Sequence, residues 1–264
     1  MAVSWLKKGN DSKQAAAAEV VKQEMQKDSM GKMFRFSMKK EEKGVLITFV
    51  DGELDKDGFL VPPRYYEHNL FLNNKWGNTF VCPQLTAPHL GQTCPICATA
   101  GTKPPALVSV FTVIDHRTVE SSKTPGKVYK DMPRLFIAKA GTMEILNHIA
   151  LKRGGLAGCT FEVLRIGAGD KLPSVGTNFE FEKKTPLDEL VKQYMREFVD
   201  PKTNQKTMKS VFVPADYDNE IKFHTADELV KLGFGSPQIS GYSPGQSMTT
   251  DMDPPGGTDY ASQL

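Results

Sequence analysis

Residues 68–97 read HNLFLNNKWGNTFVCPQLTAPHLGQTCPIC, and their spacing governs how the rest of the chain is read. His68 is followed after thirteen residues by Cys82, after eleven more by Cys94, and then by the tight pair Cys94-Pro95-Ile96-Cys97. A Cys-x-x-Cys step turns two thiols toward one point across a short turn, which is what a metal knuckle needs. Three of the chain's four cysteines fall in this stretch, so the thiols are concentrated rather than scattered. Three thiolates and one imidazole are the borderline-soft donors that zinc prefers, and four ligands fill its tetrahedral shell. The reading is one structural zinc held by Cys82, Cys94 and Cys97, with His68 or His89 as the fourth ligand. A closed shell leaves no position for a reactive water, so the ion braces a loop.

Working outward, Arg64 to Leu72 and Thr79 to Cys82 read as strands either side of a polar connection from Asn73 to Asn78, a hairpin that sets His68 and Cys82 on adjacent strands. Further strands are expected at Phe34 to Met38, Val45 to Val50, Ala106 to Asp115, Lys127 to Lys139, Thr160 to Ile166 and Thr177 to Lys183, where β-branched and aromatic residues gather. Thr142 is expected to cap a helix running through Leu151, with Gly154-Gly155 ending it. Thr185-Pro186 is expected to open an amphipathic helix with Leu187, Leu190, Val191, Tyr194 and Phe198 on one face. Thr225 and Glu228 form a capping box for a short helix that Gly233 stops. The expected fold is mainly β with attached helices, an α+β chain built on a closed or partly open barrel.

Residues 1–32 read as a basic, helix-forming arm carrying Lys7 and Lys8, and residues 33–232 as the core, with the zinc subdomain at about 62–105. Residues 233–264 are rich in Gly, Ser and Pro. They hold Asp251, Asp253 and Asp259, while no Lys or Arg follows Lys231, so an acidic, disordered tail is expected. Over the whole chain 33 basic residues nearly balance 31 acidic ones, but without the tail's three aspartates residues 1–231 carry 33 against 28, so the body is basic. The opening residues lack the apolar run of a signal peptide and no stretch of eighteen apolar residues occurs. With so few cysteines, a disulfide scaffold is excluded and a cytoplasmic compartment, with no membrane partner, is expected.

Aromatic and basic residues alternate around the hairpin and the later strands. Arg64, Tyr66, Lys75, Trp76 and Phe80 belong to the first group; Phe111, Arg117, Lys127, Tyr129, Lys130, Arg134 and Phe136 belong to the second. Rings on which bases stack, set among cations that follow phosphates, make a single-strand binding surface. Enzyme signatures are missing. A zinc deaminase needs His-x-Glu and a Pro-Cys-x-x-Cys, whereas here Glu67 precedes His68 and Thr93 precedes Cys94. No P-loop, nucleophile elbow or dinucleotide fingerprint is present, so binding is expected rather than catalysis. A zinc-ribbon module that recruits replication or transcription proteins is the alternative.

The strand-borne His68, the Asn74-Lys75-Trp76 turn, Cys82, the Cys94-Pro95-Ile96-Cys97 knuckle and the later Pro125-Gly126-Lys127-Val128-Tyr129-Lys130 run together resemble the single-stranded DNA-binding proteins of tailed bacteriophages, of the zinc-containing helix-destabilising type of the T-even phages. The resemblance implies an OB-fold core with an inserted zinc subdomain. It further implies His68, Cys82, Cys94 and Cys97 as ligands, choosing His68 over His89. It implies single-stranded DNA as partner in phage replication, recombination and repair in the cytoplasm of the bacterial host. It also implies cooperative self-association through the arm, where Lys7 and Lys8 are the candidates, and contacts between the acidic tail and replication proteins.

Overall fold

The structure, a computed structural model, describes residue 13 and residues 33–235 apart from 40, 73–74, 100, 121–125, 127, 166–175, 177 and 200–204. In chain order the elements are β1 (Gly44–Phe49), β2 (Arg64–Leu72), β3 (Lys75–Val81), α1 (Pro83–Thr86), a 3-10 turn (Pro88–Leu90), α2 (Pro95–Ala98), β4 (Ala106–Asp115), β5 (Val119–Glu120), β6 (Val128–Tyr129), β7 (Met132–Lys139), α3 (Ala140–Arg153), β8 (Cys159–Leu164), β9 (Phe179–Lys184), α4 (Leu187–Gln193), β10 (Met195–Val199), β11 (Lys206–Ser210), α5 (Tyr217–Glu220) and α6 (Ala226–Lys231). The chain is mainly β with some helices. Among the described residues no helix is long and apolar enough to cross a membrane. Two compact units form: a cysteine unit around Tyr65–Leu107 and the segment from Asp218, and a sheet unit from Met33–Arg64 and Val108–Tyr217.

In the sheet unit, five antiparallel strands run in the order β7-β4-β1-β8-β9. Alternation along β1 buries Val45, Ile47 and Phe49, and the register sets Ile47 opposite Phe161 and Phe49 opposite Val113. Phe49 meets Phe111 and Phe161 edge to face at 5.7 and 5.8 Å between centroids. Helix α3 covers this core with Met143, Leu146 and Ala150, an i, i+3, i+7 stripe. It ends at Gly154 in the left-handed region (φ 65), and Lys184 Nζ donates to the orphaned carbonyls of Arg153 and Gly154 at 2.7 and 2.9 Å.

A second apolar cluster of Val50, Ile114, Leu190, Tyr194, Val211 and Phe212 lies in the same unit. Beside it, the Asp51 carboxylate accepts from the Thr112 N–H at 3.1 Å and from the Tyr217 hydroxyl. Thr112 Oγ1 lies 2.7 Å from the same hydroxyl and accepts from the Ala215 N–H at 2.9 Å. Burial pushes Asp51 up to about 6, against the opposing hydrogen bonds from Tyr217 and Thr112.

Several expectations are corrected here. Phe34 to Met38 forms only an isolated parallel bridge from Arg35 to Leu135, and the Ser37 carbonyl, on the side away from that bridge, accepts from the Arg117 guanidinium at 2.9 Å. The expected strand from Lys127 to Lys139 is interrupted at Asp131, whose φ of 54 no extended strand tolerates. Helix α3 starts at Ala140 with Lys139 at the N-cap, so Thr142 caps nothing. Helix α4 stops at Gln193, and Phe198 lies on β10, because Met195–Val199 pairs with Lys206–Ser210. Tyr194, stacked on Phe212 at 5.9 Å, marks the change of period.

In the cysteine unit, β2 and β3 form the expected hairpin, with Glu67 opposite Val81 and His68 opposite Phe80. Its core is small: Leu70, Phe80, Cys82, Cys94, Ile96, Leu229 and Phe234. Helix α6 belongs to this unit and carries both halves of the capping box, Thr225 accepting from the Glu228 N–H and Glu228 from the Thr225 N–H. The arm at residues 1–32, bar residue 13, and the tail beyond residue 235 lie outside the described residues.

Candidate metal centre

The local chain explains how four ligand atoms converge. His68 is carried by β2, whose pairing with β3 returns the chain so that Cys82 follows directly after Val81. Cys82 is the N-cap of α1 and Cys94 the N-cap of α2, and each is followed by proline, which presets the helical φ and removes a donor that would have no partner. The Cys82 N–H donates to the Tyr66 carbonyl at 2.8 Å, tying the cysteine back to the histidine strand. The Cys94 N–H donates to Gln84 Oε1 at 3.1 Å, so α1 holds the start of the knuckle. From the other side, the Ala226 N–H donates to Gln92 Oε1 at 2.9 Å, and Leu229 and Phe234 pack with Ile96. Gly235 (φ 81) passes so near that a Cβ there would meet Pro95 Cβ at 2.9 Å.

His68, Cys82, Cys94 and Cys97 bring their ligand atoms within 4.8 Å of one another. Cys82 Sγ lies 3.7 Å from Cys97 Sγ, and His68 Nε2 lies 3.4 Å from both Cys94 Sγ and Cys97 Sγ. A tetrahedral ion at about 2.3 Å from sulfur and about 2.0 Å from nitrogen would separate two sulfurs by about 3.8 Å and a sulfur from a nitrogen by about 3.5 Å. The residues fit: these four can hold one metal ion. Cys82, Cys94 and His68 are at most 1% exposed, whereas Cys97 is open to solvent.

Electrostatics agree with the geometry. Burial lowers the His68 pKa and so favours the neutral ring that can ligate, while the Lys103 backbone acts in the opposite sense. Nε2 faces the sulfurs, and the buried Nδ1 makes no full hydrogen bond among the described atoms. Burial and neighbouring sulfurs push Cys94 up and push Cys97 to about 12, so without a cation these thiols hold their protons. A bound cation inverts that balance and deprotonates a coordinating thiol outright. Such a cluster is ready for a positive charge. His89, the alternative ligand by spacing, is exposed on the 3-10 turn and stands outside the group. Cys159 is fully buried in the sheet core.

The residues read as DNA contacts divide. Phe80 is packed against Phe234 at 4.8 Å, and Phe111 and Phe136 are core residues of the sheet unit, so none of the three presents a face for a base. The composition of a strand does not say which of its sides is buried, and here the rings took the inner one. Arg117 is engaged by Asp115 and Glu42, and Arg134 is buried over the Phe34 ring at 5.3 Å. Arg64 and Lys130 are exposed; Tyr66 and Tyr129 are half-buried. Lys75 and Trp76 lie on β3, but their side chains, like Lys127, Lys7 and Lys8, are outside the described residues. Sequence reading missed Gln84 and the Leu229–Phe234 cover over the knuckle. Only the Thr225–Glu228 capping box hinted that this late segment is structured. Comparison with family models, with curated proteins and with solved structures gives no match.

Proposed function

We propose that this chain binds single-stranded DNA without reading its sequence, and that the four-residue centre holds one structural zinc. The observation that carries the reading is the closed cluster of His68, Cys82, Cys94 and Cys97 on a hairpin and knuckle, the arrangement for which the chain resembles the phage single-strand binders. Three sulfurs and one imidazole suit zinc over the hard, oxygen-seeking cations, and four protein ligands leave no site for a metal-bound nucleophile. The ion's part is to order a unit whose apolar core is slight; the binding is done by cations and rings elsewhere.

The sheet unit is proposed to be an OB-type barrel. Its support is that the two end strands of the order, β7 and β9, approach one another through Phe136 and Phe179, 6.0 Å between ring centroids, as a curled sheet requires. Exposed Arg64 and Lys130 are candidates for phosphate contacts. Lys7 and Lys8 are proposed to serve self-association, the acidic tail to meet replication proteins, and the setting to be a phage-infected cell.

Titration of labelled oligo-dT and of a duplex at two salt concentrations tests the reading. Tight binding to the single strand that weakens steeply with salt, with much weaker duplex binding, is expected. Equal affinity for the two, or none for either, would overturn it. Elemental analysis is expected to find one zinc per chain. Capture of a replication or transcription protein by a chain that ignores nucleic acid would favour the recruiting module instead.

A further inference from the structure

The β10–β11 ribbon is, with β5–β6, one of two strand pairs of the sheet unit that stand apart from its main sheet. It forms a two-stranded sheet of its own, and every residue of β11 except Ser210 is exposed. Isolated two-stranded ribbons are marginal in water, and this one leaves Phe198 43% and Met208 58% exposed. The register assigns its faces. Arg196 pairs with Lys209 and Phe198 with Thr207, so these four share one side; Met195, Glu197, Met208 and Lys206 share the other. The ribbon's one acid, Glu197, lies 3.0 Å from Lys206 on that other side. The first face therefore presents an open aromatic ring next to a rung of two cations, with no carboxylate of the ribbon's strands on it.

The ribbon is anchored at its base. The Val211 N–H donates to the Tyr194 carbonyl at 3.0 Å, and Tyr194 and Phe212 stack. Arg196 donates to the carbonyls of Lys130 and Asp131. Asp131 is in the left-handed region, and its carboxylate is 2.7 Å from His116 Nδ1, whose Nε2 is 2.7 Å from Thr48 Oγ1 on β1. Through that chain of contacts Arg196 fixes the ribbon face beside the Tyr129–Lys130 segment. Its guanidinium is occupied, which makes it a positioning residue.

We propose that the Phe198–Thr207–Lys209 face, together with Lys130, is a contact strip for single-stranded nucleic acid, with Phe198 stacking on a base and Lys209 and Lys130 neutralising phosphates. This rests on the single-strand reading above and names residues for it. The occupant is argued from charge and shape: an exposed ring beside cations is what a base-and-phosphate chain needs. A protein partner would seat instead on the other side, which exposes Met195 and Met208 beside the Glu197–Lys206 ion pair.

The test is anisotropy titration of the full chain with dye-labelled oligo-dT, comparing Phe198→Ala, Phe198→Leu, Lys209→Gln and, on the other face, Met208→Ser. Both Phe198 variants are expected to weaken binding about tenfold, since leucine keeps apolarity but has no face to stack. Lys209→Gln is expected to lower the salt slope by about one, and Met208→Ser to bind as the parent does. If the parent binds oligo-dT and the Phe198 and Lys209 variants match it, the strip is wrong and the single-strand reading stands. A loss confined to Met208→Ser overturns the strip as well. No binding by the parent overturns both.

Discussion

The two units reach order by different physics. The sheet unit gathers sixteen buried residues in its main core, among them Phe49, Phe111, Phe136 and Phe161, so burial has ample apolar surface to work on. The cysteine unit gathers seven, and two of those are the ligands Cys82 and Cys94. Where apolar area is short, bonds from these donors to a metal ion would stand in for it. In one unit the sequence specifies shape through alternation along strands. In the other it does so through the spacing of four donors.

Metal removal should separate the two most sharply. A chelator, or Cys94→Ser, is expected to abolish protease resistance and amide-exchange protection in residues 65–107 and 226–235 while β1, β4 and β8 keep theirs. The scale is set by the roughly 10 to 16 kcal/mol of apparent binding free energy that structural zinc supplies to small domains. Full protection of the hairpin after the metal is gone would end the contrast. In the sheet unit the matching lesion is Phe161→Ala, which removes a ring packed on Phe49, Phe179 and Phe181. A loss of about 3 to 5 kcal/mol in denaturant unfolding is expected, with metal content unchanged.

Acidity should act on the two units with opposite sign. Metal binding displaces protons from thiols and competes with protonation of His68, so an ion held by the cysteine unit is expected to leave as pH falls. Asp51 behaves otherwise. Its folded value of about 6 lies above its ordinary 3.8, so between those values the native state holds a proton that the unfolded chain has released. Stability of the sheet unit is therefore expected to fall as pH rises from about 4 to about 6, by at most about 3 kcal/mol, and to stay at the lower level above that window. Asp51→Asn should flatten the profile; an unchanged slope would remove Asp51 as its origin. The smallest effect is expected from Thr225→Ala. Losing one side of the capping box costs about 1 kcal/mol in the metal-loaded protein, read as a small drop in the thermal midpoint of the cysteine unit.

What could be read in advance follows the same division. The run Val108-Ser109-Val110-Phe111-Thr112-Val113-Ile114 has β-prone residues throughout, and its strand is found with the expected bounds. The Cys-x-x-Cys step and the hairpin before it likewise fix a local geometry, and their donors do meet. Long-range relations were illegible. Nothing in the spacing of Leu229 and Phe234 says that they close over Ile96, and nothing in Ser37 says that its carbonyl is taken by Arg117, 80 residues away. Tyr194 and Phe198 stand at the i, i+4 interval of a helix, yet the partner strand at Lys206–Ser210 draws the chain into a ribbon. Period fails as a guide when a distant segment offers a better set of hydrogen bonds. Some of the aromatic and basic residues were misread for a related reason: composition counts rings and charges, whereas Phe111 is assigned by which side of its strand meets the core and Arg117 by the carboxylates of Asp115 and Glu42.

The uneven exposure of the four donors also bears on how an ion held there would travel. Three are sealed from solvent and Cys97 is not. A competing thiol or chelator would meet such a centre first at Cys97, and exchange is expected to begin by detaching that ligand while the other three keep their grip. The centre would then be a half-open latch, with the rate of metal turnover set by one residue and the affinity by all four.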